Sequence, residues 1–134
     1  MEIAKSPASR QGVELSVFKG RETKLNRAIM QTLTQFSPQT IYDIHKKILQ
    51  SYSLKITRYA NVNTRVKTLE KEGYVRKIGS KETKAGFNAI LYEATSRALF
   101  ALLLSSLNLN DLILELDEIS TITVLSTIAT VNKC

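Results

Sequence analysis

Apolar residues recur at three- and four-residue steps from Leu25 through Ala28, Ile29 and Leu33 to Phe36. That spacing predicts an amphipathic helix over about Arg21–Phe36. Ser37-Pro38 then interrupts the pattern and restarts it. Serine is a good N-cap and proline at the first helical position gives up no needed hydrogen bond, so a second helix is expected over about Pro38–Ser51. Its inward positions are Ile41, Ile44, Ile48 and Leu49. After a link over Tyr52–Ile56, Thr57 can cap a third helix that stops at Glu72, with Gly73 just past its end. Tyr74–Ile78 and Phe87–Glu93 are rich in aromatic and β-branched residues, and the glycines and polar residues between them predict a hairpin.

Polarity changes after Thr95, which caps a fourth helix over about Ser96–Leu107. Leu99, Phe100, Leu102, Leu103 and Leu104 surround nearly the whole of it, so it must be covered on more than one side. Asn108–Asp111 breaks the pattern and a fifth helix starts near Asp111, continuing the seam through Leu112, Ile113, Leu116 and Ile119. Beyond Ser120 the β-branched content allows a strand. The three-residue recurrence of Ile119, Ile122, Leu125, Ile128 and Val131 fits a helix better. Residues 1–20 lack sustained periodicity and read as a loose arm, with a short strand around Val13–Phe18 compatible with their composition. The expected class is α+β, mostly α.

Composition sharpens this division. The chain of 134 residues carries a net +7, distributed as +4 over residues 1–50, +6 over 51–97 and −3 over 98–134. A cationic middle joined to an acidic, apolar tail suggests a polyanion-binding part and a part with another task. The one cysteine, Cys134, allows neither an internal disulfide nor a thiolate metal site, which favours a reducing compartment. Met1–Gly20 is too polar for a secretory signal and Ala98–Leu109 too short to span a bilayer, so a cytoplasmic protein is expected. His45 has no second histidine or nearby cysteine to share a metal and reads as a partly buried structural residue. With no glycine-rich phosphate loop, paired histidines or Cys-His arrangement, no enzyme and no cofactor are expected.

The third helix separates into two faces at 100° per residue. Tyr59, Val62, Val66 and Leu69 form the expected core side, and Thr57, Ala60, Asn61, Thr64, Lys67, Thr68 and Lys71 lie opposite. The N-terminal part of that outer face has no acid; Glu70 and Glu72 come only at the far end. Arg65-Val66, Leu69-Glu70, Gly73 and Val75, then Tyr92, Thr95 and Ala98, occupy places that resemble the winged helix-turn-helix superfamily, particularly small transcriptional regulators of the MarR and PadR type. Ala94 stands where that pattern usually has leucine. The resemblance covers about residues 21–98 and implies three helices plus a β-hairpin wing, with double-stranded DNA as partner. Residues 57–72 would then enter the major groove and the wing, 74–93, would lie on the backbone or in the minor groove.

On that footing Asn61 and Thr64 are the expected base-edge contacts, with Arg58 near guanine or a neighbouring phosphate. Arg65 and Lys67 flank the face and suit phosphates, as does Lys55 ahead of the cap; Thr57 belongs to the same stretch. Tyr59 suits either a phosphate or the core. Arg76, Lys77, Lys81 and Lys84 on the wing would clamp phosphate, or alternatively guard a strand edge. Residues 99–134 are expected to join two copies through Leu103, Leu109, Leu112, Ile113, Leu116 and Ile119. Related regulators often hold a small-molecule effector, and no residue here identifies one. A protein–protein interaction module and a non-specific DNA-packing protein are the competing readings.

Overall fold

The computed structural model describes residues 15–51 and 57–132; residues 1–14, residues 52–56 with Lys55, and Lys133 and Cys134 lie outside the described residues. Where the sequence allowed a strand, Ser16–Phe18 form a short 3-10 turn whose Val17 and Phe18 are buried. Helix α1 (Thr23–Gln35) follows and buries Ile29, Met30 and Leu33.

The Ser37-Pro38 start expected for the second helix is corrected. Helix α2 spans Ile41–Ser51, and its cap is Thr40. Thr40 Oγ1 accepts from the Asp43 N–H at 3.1 Å, while the Thr40 N–H points back to the Asp43 carboxylate at 3.4 Å. This reciprocal arrangement satisfies donors that a helix start leaves open. Ser37 turns its hydroxyl to the Leu33 carbonyl instead. The chain just before the cap is extended because Gln39 exchanges both backbone hydrogen bonds with Tyr92, at 3.0 and 2.8 Å.

Helix α3 (Tyr59–Lys71) starts one residue later than a Thr57 cap would place it, with Arg58 at its N-cap. It ends at Gly73, whose φ of +87° lets the Gly73 and Tyr74 N–H groups bond to Glu70 and Leu69 carbonyls. Strands β1 (Val75–Glu82) and β2 (Asn88–Ala94) then pair antiparallel, with Val75 opposite Ala94 and Glu82 opposite Asn88, and one bulge between Lys77 and Gly79. Tyr92 is buried beside Val62, Val66 and Leu69 in one core, closed by Ala98 and Ala101 of α4 (Ser96–Ser106). The small Ala98 and the Thr95 hydroxyl, which accepts from the Ala98 N–H at 3.4 Å and donates to the Gly73 carbonyl at 2.6 Å, join α4 to the end of α3.

The described residues separate into two units, 15–105 and 106–132. The second holds α5 (Leu109–Glu115), capped by Asn108, and α6 (Glu118–Asn132), started by the Asp117 carboxylate accepting from the Ser120 N–H. The sequence reading ran α5 through residue 119; Asp117 divides that stretch, and residues 120–131 are helical. No residue of α5 or α6 is buried, and Ile113 and Ile119 are 69% and 79% exposed. Thr121, Thr123, Thr127 and Thr130 each donate their hydroxyl to the carbonyl one turn earlier. Among the described residues the architecture is therefore a mostly helical α+β arrangement of six α-helices and one two-stranded hairpin, compatible with a winged helix. No single described helix is long and apolar enough to cross a membrane.

Candidate nucleic-acid interface

Val62, Val66 and Leu69 hold α3 against α1 and α2 with no exposed surface, which fixes the rotation of the helix about its axis. Each such side chain contributes about 1.5–3 kcal/mol of burial, so another rotation would be costly. Arg58, Ala60, Asn61, Thr64, Lys67 and Lys71 consequently stand exposed on the other side, and no acid lies among them before Glu70. Thr57 is half-buried ahead of the helix, where its carbonyl accepts from His45 Nε2 at 2.8 Å. His45 is thus a structural pin for the entry into α3.

Two expected roles change. Tyr59 was placed on the core side, yet it is 46% exposed. It sits at the first turn, where its ring meets His45 edge-on at 5.8 Å between centroids. Arg65 points back toward the body rather than across the open face. Its Nε donates to Asn26 Oδ1 at 3.0 Å, and buried Asn26 in turn donates to the Val17 carbonyl at 2.8 Å. This chain ties the N-terminal turn, α1 and α3 together, and an isolated asparagine in α1 gave no sign of it.

A shallow groove of about 230 Å³ runs between the start of α2, the flank of α3 and β2. Tyr59, Asn63, Lys67, Asn88 and Tyr92 are among its walls. Burial, followed by the Glu70 carboxylate and Tyr59, pushes the Tyr92 phenol above its ordinary value, so this wall presents a neutral hydroxyl group. No metal cluster of three or more His, Cys, Asp or Glu side chains occurs among the described residues.

The wing cations are less alike than their sequence suggests. Arg76 holds Glu93 across the hairpin, with Nε at 2.7 Å from its carboxylate. Lys77 lies 3.9 Å from Glu70, and Lys81, in β1 rather than at the turn, lies 3.5 Å from Asp43. Lys84 alone of the four stands at the turn, beside exposed Phe87 and Asn88. The sequence reading placed Phe87 and Asn88 in the second strand without a site role, and gave none to Arg97, which donates to the Glu72 carbonyl at 2.6 Å and so closes the end of α3.

No family model and no curated protein matches this sequence. Among solved structures, a chain of Thermoplasma acidophilum described provisionally as a transcriptional regulator aligns with a TM-score of 0.46 and 19% identity, over 68% of this chain and 91% of that one. It is a distant likeness.

Asp43 links the α2 cap to the wing. Burial draws its carboxyl upward, but hydrogen bonds from Thr40 and the Lys81 ammonium outweigh this and hold it below its ordinary 3.8. A group lowered on folding stabilises the fold above its unfolded value and ceases to do so as pH falls through the folded one. Asp43→Asn is therefore expected to melt below the unaltered chain at pH near 7, the two converging under strongly acid conditions. Equal melting temperatures at neutral pH would remove Asp43 from the stability of this corner.

Proposed function

We propose that the chain is a sequence-specific duplex-DNA-binding transcriptional regulator of winged-helix type, acting as a homodimer. The open outer face of α3, acid-free before Glu70 and set beside a projecting hairpin, is the observation that supports it most directly. In this reading Asn61 and Thr64 meet base edges in the major groove. Arg58 and Lys67 reach base or phosphate at its margins, and Lys84 engages the backbone from the wing. Lys55 and Thr57 belong to the same approach. Arg65, Arg76, Lys77 and Lys81 chiefly hold the reading surface in shape, through Asn26, Glu93, Glu70 and Asp43. A cytoplasmic setting belongs to the same proposal.

The dimer reading rests on α5 and α6, in which no residue is buried and Ile113, Leu114, Ile119, Leu125 and Ile128 are exposed. Leu103, Leu109, Leu112, Ile113, Leu116 and Ile119 are its expected contacts, and Ile122, Leu125, Ile128 and Val131 of α6 are exposed as well. Two copies would present two reading helices about 34 Å apart, on successive turns of the duplex.

Loss of the Asn61 or Thr64 side chain tests the base readout. Each alanine variant should lose about 5–150-fold in affinity for a duplex recovered by selection from a random pool, corresponding to about 1–3 kcal/mol. Binding to mixed-sequence duplex should change little. Equal losses on both duplexes would refute readout by these residues. The paired wing cations favour one second reading, a protein-interaction module, and salt separates the two. Affinity for duplex should fall steeply as salt rises if phosphates are neutralised.

A further inference from the structure

Every acid of residues 98–134 falls within 111–118, in a chain whose other segments are cationic. Helix α5 sorts its side chains by face. At 100° per residue Leu109, Leu112, Ile113 and Leu116 gather on one side, the side assigned above to the dimer. Asn110, Asp111, Leu114 and Glu115 gather opposite them, and all four are exposed. Among the described residues neither Asp111 nor Glu115 forms an ion pair. A dimer through the first side leaves the second open.

The complement lies where α1 gives way to α2. Phe36 and Tyr42 are 50% and 58% exposed there. Each carries a lysine over its ring, Lys47 at 4.5 Å and Lys46 at 5.1 Å from the centroid. These contacts hold two ammonium groups beside a cavity of about 270 Å³, lined by Pro38, Gln39, Asp43, Lys46, Lys47 and Gln50. The acid in that wall, Asp43, is already engaged by Lys81 and the Thr40 N–H. Gln39 is only 5% exposed, yet its Oε1 has no hydrogen-bond partner. A buried acceptor left unanswered is uncommon in a folded protein, and an occupant that brings a donor relieves it.

We propose that this cavity receives the acidic side of α5 from a second copy of the chain. Asp111 and Glu115, one turn apart, meet the Lys46 and Lys47 ammonium groups. The Asn110 amide donates to Gln39, and Leu114 lies against the exposed rings of Phe36 and Tyr42. A phosphate diester fits less well, because it offers charge to the lysines but no donor to Gln39. The contact joins unlike surfaces, so it is heterologous and adds copies beyond the twofold pair proposed above. Its charges are exposed, which makes it weak and sensitive to salt. It requires neither the α6 pairing nor the duplex.

The test mixes equal amounts of unlabelled and heavy-isotope-labelled full-length chain at ~0.02 M salt, where screening is weak. A carbodiimide, which couples an amine to a carboxylate with no spacer, should join Lys46 or Lys47 to Asp111 or Glu115. The joined peptides should pair one unlabelled with one labelled strand. Sedimentation should show species that grow with concentration and vanish by ~0.5 M salt. Lys46→Glu with Lys47→Glu should abolish that growth, as should Asp111→Lys with Glu115→Lys, while all four changes in one chain should restore it. Folding damage would be compounded by the fourfold variant, not repaired. Failure of that variant to restore growth overturns the proposal wherever it melts with the unaltered chain. The cross-link on the unaltered chain decides the matter even where a variant fails to fold. Its absence, or its confinement to one isotope, which would put the acidic side against its own head, overturns the proposal. So does growth that persists in Lys46→Glu with Lys47→Glu while duplex affinity falls, which would assign both lysines to phosphate.

Discussion

Leu125→Lys combined with Ile128→Lys is expected to convert the proposed dimer to single chains in light scattering or analytical ultracentrifugation. Both side chains are exposed on α6, in a helix with no charged residue after Glu118. Inside a self-association surface, two lysines on each copy would have to surrender hydration without a partner, and burial of an unpaired charge is prohibitive. Because linking two reading heads can raise affinity by about 10²–10⁴-fold without any new contact, the monomer should lose a factor of that order on a duplex with two half-sites. Affinity for a single half-site should hardly move. A double variant that stays dimeric, or an unaltered chain that sediments as a monomer, would remove α6 from assembly. Melting of the 15–105 unit should be unaffected, since neither residue belongs to its core.

Gly73→Ala should be the most damaging single change outside the core. Gly73 has φ +87°, a conformation that costs a residue with a Cβ about 1–2 kcal/mol. The added carbon would lie 2.5 Å from Arg97 Nη1, so the arginine must swing away from the Glu72 carbonyl it now caps. Loss of a hydrogen bond from a charged donor adds about 1.5–3 kcal/mol, reduced here by exposure, giving a total of about 2–4 kcal/mol. For a unit of this size each kcal/mol shifts the melting temperature by about 4–8 °C. Arg97→Ala gives the second term alone. If Gly73→Ala melts no lower than Arg97→Ala, backbone strain has no part in the effect.

The elements legible in the sequence were those set by local periodicity. Val62, Val66 and Leu69 declared the inner side of α3, and Gly73 declared its end. Ser37-Pro38 misled because its cue is local, whereas the chain there is governed by pairing between Gln39 and the distant Tyr92. Thr40, an ordinary residue by pattern, became the cap only because that pairing delays the helix. The candidate site was less legible than the fold. Four wing cations look equivalent in order, but three find acids supplied by β2, α3 and α2, and no spacing rule announces such partners. Arg65 was assigned by charge and taken by Asn26, a residue 39 positions earlier. Phe87 was read as strand hydrophobicity, since β-branched and aromatic content does not reveal which side of a hairpin has anything to cover it.

The threonines of α6 have a thermal consequence. With each of these hydroxyls already satisfied by the preceding turn, the surface that α6 would offer to a second copy in the proposed dimer consists largely of methyl and methylene groups. Removing such a surface from water is driven by entropy near 25 °C and loses strength on cooling. Assembly through this helix would loosen in the cold, and its heat of association would grow more negative with each degree of warming.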